Sequence, residues 1–223
     1  MGPDQFMAQV LTEFHCHTNV SKDSLVTPAQ LIRCCRRKSI GKVVVTDHNS
    51  IDGALEASRL APDLVVVGEE IMTTEGEILA AYVKERIPPG LAPRETIHLL
   101  RDQNAFISIS HPFDEIRSGS WKQHALLDIA PLVDAIEVFN SRCLLPESNR
   151  QAQEFAERNG LISTAGSDAH SVWEVGRALV LLPSFQDADE LRVAIRNSTL
   201  KVRHSPYWVH FLSRYASMRK RFP

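Results

Sequence analysis

The chain has 223 residues, 43% of them apolar and 23% charged, with 25 Lys and Arg against 27 Asp and Glu for a formal net charge of −2. The apolar fraction excludes a disordered or collagen-like chain, and the near-neutral balance argues against a dedicated nucleic-acid binder, which is usually strongly basic. The length suits one large domain or two small ones, a size that single α/β barrels reach, and within this plain profile nine histidines stand against four cysteines.

Residues 1–10 carry neither the basic nor the apolar region of a signal peptide, and Phe6 stands where a myristoylation pattern needs Ser or Thr. A first β-rich run covers 10–14, and Thr27-Pro28 then opens a helix to about Lys38, with threonine as cap and proline at the first helical position. Further strands are expected at 42–46, 64–68 and 78–83, and a helix from Pro93 to near Gln103. Strands at 106–110 and 135–139 follow, then a helix from Pro146 that Asn159-Gly160 closes. The last units are strands at 161–164 and 178–182 and a helix from Asp187 to near Ser198. The strands are near-continuous apolar runs, as expected where helices cover a sheet. Strands alternating with helices predict parallel βα units, and about seven of them favour a barrel over an open sheet. No linker or internal repeat interrupts them, so residues 1–203 read as one domain.

Cys16, Cys34, Cys35 and Cys143 form no CxxC pair or disulfide framework, which suits a reducing, cytoplasmic setting. No apolar run approaches the ~18 residues of a membrane helix, so no membrane partner is expected. Residues 204–223 differ in character. They carry Arg214, Arg219, Lys220 and Arg221 with no acidic residue, beside Tyr207, Trp208, Phe211 and Tyr215. The favoured reading is a terminal helix packing its aromatics on the barrel with a solvated basic end. The competing one is a phosphate-rich partner such as nucleic acid.

In a βα barrel the chemistry sits at the C-terminal ends of the strands, and five of the nine histidines fall there. The first strand runs into His15-Cys16-His17, whose imidazoles, two residues apart, share a face and can reach one metal. Later strands end in Thr46-Asp47-His48, Gly68-Glu69-Glu70, Ser110-His111-Pro112 and Gly166-Ser167-Asp168-Ala169-His170. His98, His124, His204 and His210 fall on helices or the tail and read as non-ligands.

This ordered set resembles the PHP (polymerase and histidinol phosphatase) family of metal-dependent phosphoesterases, from Thr12 to about Leu182. The resemblance implies an α/β fold, a distorted (β/α)7 barrel of the PHP type, with two or three divalent ions (Mn, Zn or Fe) in a cleft at the strand ends. It implies His15, His17, Asp23, His48, Glu70, His111, Asp168 and His170 as metal ligands, with Glu70 bridging two metals. The chain departs from the family at Leu79, where many members place a histidine ligand. Glu77, two residues back on the same strand face, is the available substitute, so two firmly held metals are expected, with a third that is weak, water-rich or held by Glu77.

The implied activity is hydrolysis of a phosphoester by a metal-activated water, on a small phosphorylated substrate, a nucleotide or an oligonucleotide end. Asp168 is the candidate to orient or deprotonate the water, and Asp47 to fix its neighbour or the ring of a ligand. Arg117 is the candidate phosphate-binding arginine, with Arg142 and Arg177 behind it. Glu137 and Asn140 read as cleft hydrogen-bonding residues. An open cleft is expected, with specificity resting on short loops such as 113–123. A degenerate PHP module that binds RNA or a protein partner without turnover is the alternative, and hydrolysis of a C–N bond a third reading.

Overall fold

A computed structural model describes residues 8–117 and 120–221. The signal-peptide and myristoylation readings of residues 1–7, and part of the 113–123 loop, lie outside the described residues. The elements in chain order are β1 (Gln9–Cys16), α1 (Pro28–Arg37), β2 (Lys42–Val45), α2 (Asp52–Leu60), β3 (Val65–Met72), β4 (Glu77–Ala81), α3 (Pro93–Asp102) and β5 (Phe106–Ile109). They continue with α4 (Gln123–Ile129), β6 (Ala135–Asn140), α5 (Pro146–Asn159), β7 (Ile162–Gly166), β8 (Ala178–Pro183), α6 (Ala188–Ala194), β9 (Thr199–Val202) and α7 (Val209–Arg221).

Local chemistry sets the helix ends. Thr27 and Gln30 form a reciprocal capping box at the start of α1, and Gly160, at φ 64°, ends α5 in the left-handed conformation. By contrast α2 starts at Ile51 with no side-chain cap, and α4 likewise at Lys122. Neither is anticipated from the sequence, which offers no start signal there.

The strands follow the order β7-β6-β5-β4-β3-β2-β1-β8-β9. Pairing is parallel through β1, β2 and β3, and again through β5, β6 and β7. Beyond β7 the chain returns to β1, where an isolated parallel bridge joins Cys16 to Ala169 and the His17 amide donates to the Ala169 carbonyl at 2.9 Å. β1 to β7 thereby form a nearly closed barrel, and β8 and β9 extend the sheet antiparallel from the first half of β1.

Besides β8, one strand within the barrel breaks the expected parallel pattern. β4 runs antiparallel to both β3 and β5. A parallel crossover needs about a dozen residues or more, whereas only residues 73–76 separate β3 from β4. They form a tight turn in which the Thr73 hydroxyl donates to the Gly76 carbonyl at 2.6 Å.

Three apolar layers hold the barrel. Val44, Val66 and the Phe14–Phe106 pair, with ring centroids 6.3 Å apart, lie in one of them. α1 and α2 bury Leu31, Ile32, Ala54 and Ala57 against β1 to β3, while α3, α4 and α5 cover β4 to β6. α7 departs from expectation. Its buried residues are Val209, Ser213 and Ala216, and its aromatics face outward, because small residues at positions 209, 213 and 216 let the helix lie close on the barrel.

Gly68 marks a tight junction of the sheet, between β3 and its neighbours β2 and β4. A Cβ there would stand 2.6 Å from the Ala80 carbonyl oxygen and 2.6 Å from Val44 Cγ1. The prediction is that Gly68→Ala destabilises the fold by about 1–3 kcal/mol, the usual cost of overpacking. Thermal unfolding followed by circular dichroism tests it, and an unchanged melting temperature would refute the close approach.

Candidate metal centre

β1 carries a bulge between Glu13 and Cys16, and its end alternates across the barrel wall. Cys16 points outward into the α1 layer, while His15 and His17 are fully buried on the other face. Each imidazole is then held by a specific partner. His15 Nδ1 donates to Glu137 Oε1 at 3.0 Å, which leaves the Nε2 lone pair facing the centre. The Ser21 hydroxyl gives its proton to Asp47 (2.6 Å), so it accepts from His17 Nδ1 at 3.2 Å, and His17 Nε2 is likewise free. His170 Nδ1 donates to the Asp168 carbonyl at 2.8 Å.

Asp47, expected to fix its neighbour or the ring of a ligand, reaches the His17 ring through Ser21. Its carboxylate accepts from the Thr18 amide at 2.7 Å, from the Thr18 hydroxyl at 2.6 Å and from Ser21, so it is saturated by the loop after β1. It neither enters the cleft nor touches an imidazole. It acts on His17, and on the His48 amide, only through Ser21.

The other residues named from the sequence converge on Glu70. Its Oε1 accepts from Ser110 at 2.8 Å and stands 3.2 Å from His111 Nε2 and 3.3 Å from His15 Nε2. Its Oε2 stands 2.9 Å from His48 Nδ1 and 3.5 Å from His17 Nε2. Asp168 Oδ1 is 3.2 Å from His17 Nε2, and Asp23 Oδ2 is 3.2 Å from His170 Nε2 and 3.6 Å from His48 Nε2. Asp168 has φ 50°, a left-handed conformation that aspartate tolerates better than most residues.

Glu77 joins this cluster, because β4 is reversed and its first residue lies at the same barrel end as the last residues of β3 and β5. Its carboxylate is 3.3 Å from His111 Nε2 and 3.9 Å from His48 Nδ1. The sequence places it further back along the strand, which would hold only for a parallel β4. Leu79 pairs with Glu70 in the β3–β4 ladder and is buried.

The donors fit divalent cations. Three sets, His17–His48–His170, His15–His17–Glu70 and His48–Glu70–Glu77, each bring ligand atoms within 4.8 Å of one another, and they share His17, His48 and Glu70. His15 Nε2, His17 Nε2, Glu70 Oε2 and Asp168 Oδ1 are buried without a hydrogen-bond partner. Buried lone pairs aimed at one another are costly unless a cation lies among them. Mixed imidazole and carboxylate donors suit first-row divalent metals.

The electrostatics follow from this crowding. Burial opposes charge on His15, but Glu70, Asp168 and Glu137 outweigh it and hold its pKa well above the ordinary value. Burial similarly opposes charge on Glu70, yet His15 and His48 hold it well below the usual carboxylate range. His17 is pushed down to about 3 by burial and by the neighbouring His170 and His48. Burial and then the Glu70 charge push Glu77 up to about 7.

The centre opens into a cleft of 460 Å³ whose walls include Lys22, Asn49, Arg117, Arg142 and His210. Arg117 pairs with Asp168 and, at 3.0 Å, with Asp114, while its Nη2 has no partner. Arg142 Nη2 donates to Ser213 on α7 at 2.8 Å, and its Nε faces Glu174 at 3.4 Å. Arg177 donates instead to the His204 carbonyl at 3.1 Å and is not among the residues that line the cleft. Asn140 donates to both Glu137 and Asp168 (3.0 and 3.2 Å), and Glu137 also accepts from the His111 amide at 2.9 Å. His98 is exposed beside Asp102. His210, read from the sequence as a non-ligand, forms part of the cleft wall.

Known proteins share the fold on which this site is built. Residues 146–200 match the family model described as PHP-associated. Over 171 residues the chain is 36% identical to the uncharacterized protein MJ0417 of Methanocaldococcus jannaschii, covering 75% of this chain and 68% of that protein. Among solved structures, a two-domain protein from Bacteroides vulgatus containing a predicted PHP-like metal-dependent phosphoesterase superposes with a TM-score of 0.71 at 18% identity, over 91% of this chain and 68% of that one. The lesion-specific endonuclease EndoQ from Pyrococcus furiosus superposes with a TM-score of 0.59 at 16% identity, over 86% and 58%.

The placement of Glu77 predicts a change in metal content. Glu77→Gln, measured by elemental analysis after purification without chelators, is expected to lower the bound metal per chain. His98→Ala, altered at an exposed position, is expected to retain it. Equal metal content in the two variants would remove Glu77 from the ligand set.

Proposed function

This chain belongs to the PHP domain family, and on that premise we propose that it is a metal-dependent phosphoesterase acting on a phosphomonoester, a nucleotide or the end of an oligonucleotide. The observation that carries the reading is a set of buried, unpartnered imidazole and carboxylate atoms opening into one cleft with Arg117 and Arg142 in its wall.

His15, His17, Asp23, His48, Glu70, Glu77, His111, Asp168 and His170 would hold two or three divalent ions of the Mn, Zn or Fe type. Such ions lower the pKa of bound water and neutralise phosphoryl oxygens. Glu70, shared between donor sets, is the bridging carboxylate. Asp168 keeps Oδ1 toward the imidazoles while Oδ2 receives Arg117 and Asn140. Burial opposes its charge, but Arg117 and His15 hold it well below the usual carboxylate range. Asp168 is therefore suited to orient a water rather than to retain its proton.

Arg117 is the phosphate-binding residue, because its unpartnered Nη2 leaves a charge-assisted donor for a phosphoryl oxygen. Arg142, across the cleft, supplies the second positive charge. No described helix is long and apolar enough to cross a membrane.

A generic aryl phosphate with added Mn²⁺ tests the reading. Metal-dependent turnover is expected, with His15→Ala and Asp168→Asn each losing about 10²-fold or more, the scale for removing one transition-state contact. Arg117→Ala is expected to raise KM about tenfold or more, as for loss of a hydrogen bond to a charged group. No turnover across monoesters, diesters and short oligonucleotides would favour a module that binds without hydrolysing. Turnover confined to amides would move the reaction to C–N bonds.

A further inference from the structure

The cleft does not account for the exposed face of α7. Trp208, Phe211, Tyr215 and Met218 recur at intervals of three and four, so they form one stripe along the helix. They are 47%, 70%, 52% and 59% exposed, and Tyr207 at the head of the helix is 70% exposed. The opposite face, through Val209, Ser213 and Ala216, is the buried one. Five large side chains of this kind on one outward surface are unusual for a solvated helix.

The position of the helix ties this stripe to the cleft. His210, between Trp208 and Phe211 in the chain, lines the cleft, and Ser213 holds Arg142. At the far end Lys220 Nζ donates to the carbonyls of Asn19 and Ser21, both at 2.6 Å, in the loop that supports His17. α7 therefore lies along the rim, and a substrate longer than one phosphorylated group would pass over it.

Charge indicates what covers the stripe. α7 carries Arg214, Arg219, Lys220 and Arg221 and no carboxylate. The whole-chain charge of −2 hides this, because nine carboxylates are buried against one arginine, so the exposed remainder is net basic. A second copy would bring two such helices together with no opposing charge, which disfavours pairing through this face. Flat aromatic rings with Arg214 among them and a basic run beyond match a polyanion whose units have stackable faces.

We propose that the outer face of α7 is a stacking platform for single-stranded nucleic acid, with Trp208 and Phe211 receiving the bases next to the strand end that enters the cleft. The link to the cleft rests on the phosphoesterase reading, whereas the binding surface does not. A duplex keeps its base faces covered, so the surface favours a single strand.

Fluorescence anisotropy with labelled single-stranded DNA and RNA of about a dozen nucleotides, within the usual range of such sites, tests this on the metal-loaded chain, with phosphorothioate-linked strands that resist turnover. The intact chain is expected to bind saturably and more tightly than it binds the matching duplex. Trp208→Ala with Phe211→Ala should weaken binding by about tenfold or more, the scale of lost base stacking. Arg214→Glu should flatten the salt dependence. Neither change should alter the melting temperature or the rate on a small aryl phosphate. Absence of single-strand binding, or binding indifferent to these substitutions, would overturn the proposal. So would loss, in the aromatic double variant, of dimerisation or of anionic-vesicle binding where the intact chain binds no nucleic acid. Because binding is read without turnover, an inactive chain that still binds through α7 would refute the hydrolase reading and keep the platform.

Discussion

A buried carboxylate faced by four imidazoles is the constraint around which this fold is arranged. Glu70 has His15, His17, His48 and His111 within 3.5 Å, and most of these rings have no access to water. Such a set is stable only if each ring presents a defined nitrogen to the centre and cationic charge balances the carboxylates. The residues behind the rings supply the first condition. For His15, His17 and the neighbouring His170, respectively, Glu137, the Ser21–Asp47 pair and the Asp168 carbonyl each take an Nδ1 proton and so turn Nε2 inward.

The reversed strand completes the ring of donors. A seven-stranded barrel with every strand parallel would put Leu79 nearer the centre than Glu77. The four-residue turn after β3 forces an antiparallel neighbour, and the start of β4 then comes to the chemical end of the barrel. A carboxylate early in the strand thereby approaches His111 and His48, where a histidine might have been sought two residues later. Close packing is the corollary at this junction. Gly68 beside the Ala80 carbonyl and Gly166 beside Glu137 and His15 both occupy positions where a Cβ would collide.

Outside the centre, burial divides the charge. Carboxylates are drawn inward to hold rings, loops and cations, which leaves the exterior richer in arginine and lysine than composition suggests. α7 concentrates that excess beside the cleft, and its small buried residues leave its large ones in solvent. Arg142 shows how the two regions connect: one guanidinium lines the cleft and is steadied by Ser213 of the rim helix.

The strand positions, the capped helices and the histidine–carboxylate motifs were legible in the sequence, because apolar runs, caps and strand-end motifs are local patterns. Seven of the eight ligand candidates lie just after an expected strand for that reason, whereas Asp23 was implied only by the resemblance to the family. The direction of β4, the approach of Glu77, the route through Ser21 by which Asp47 steadies His17 and the entry of His210 into the cleft wall were not. Each depends on which element lies beside which, and a periodic pattern does not record that. The outward face of α7 is the clearest case, since aromatic residues at helical spacing read equally well as core or as surface. Only the docking of Val209, Ser213 and Ala216 against the barrel decided between them, because a helix buries the face that fits its neighbour rather than the face that is most apolar.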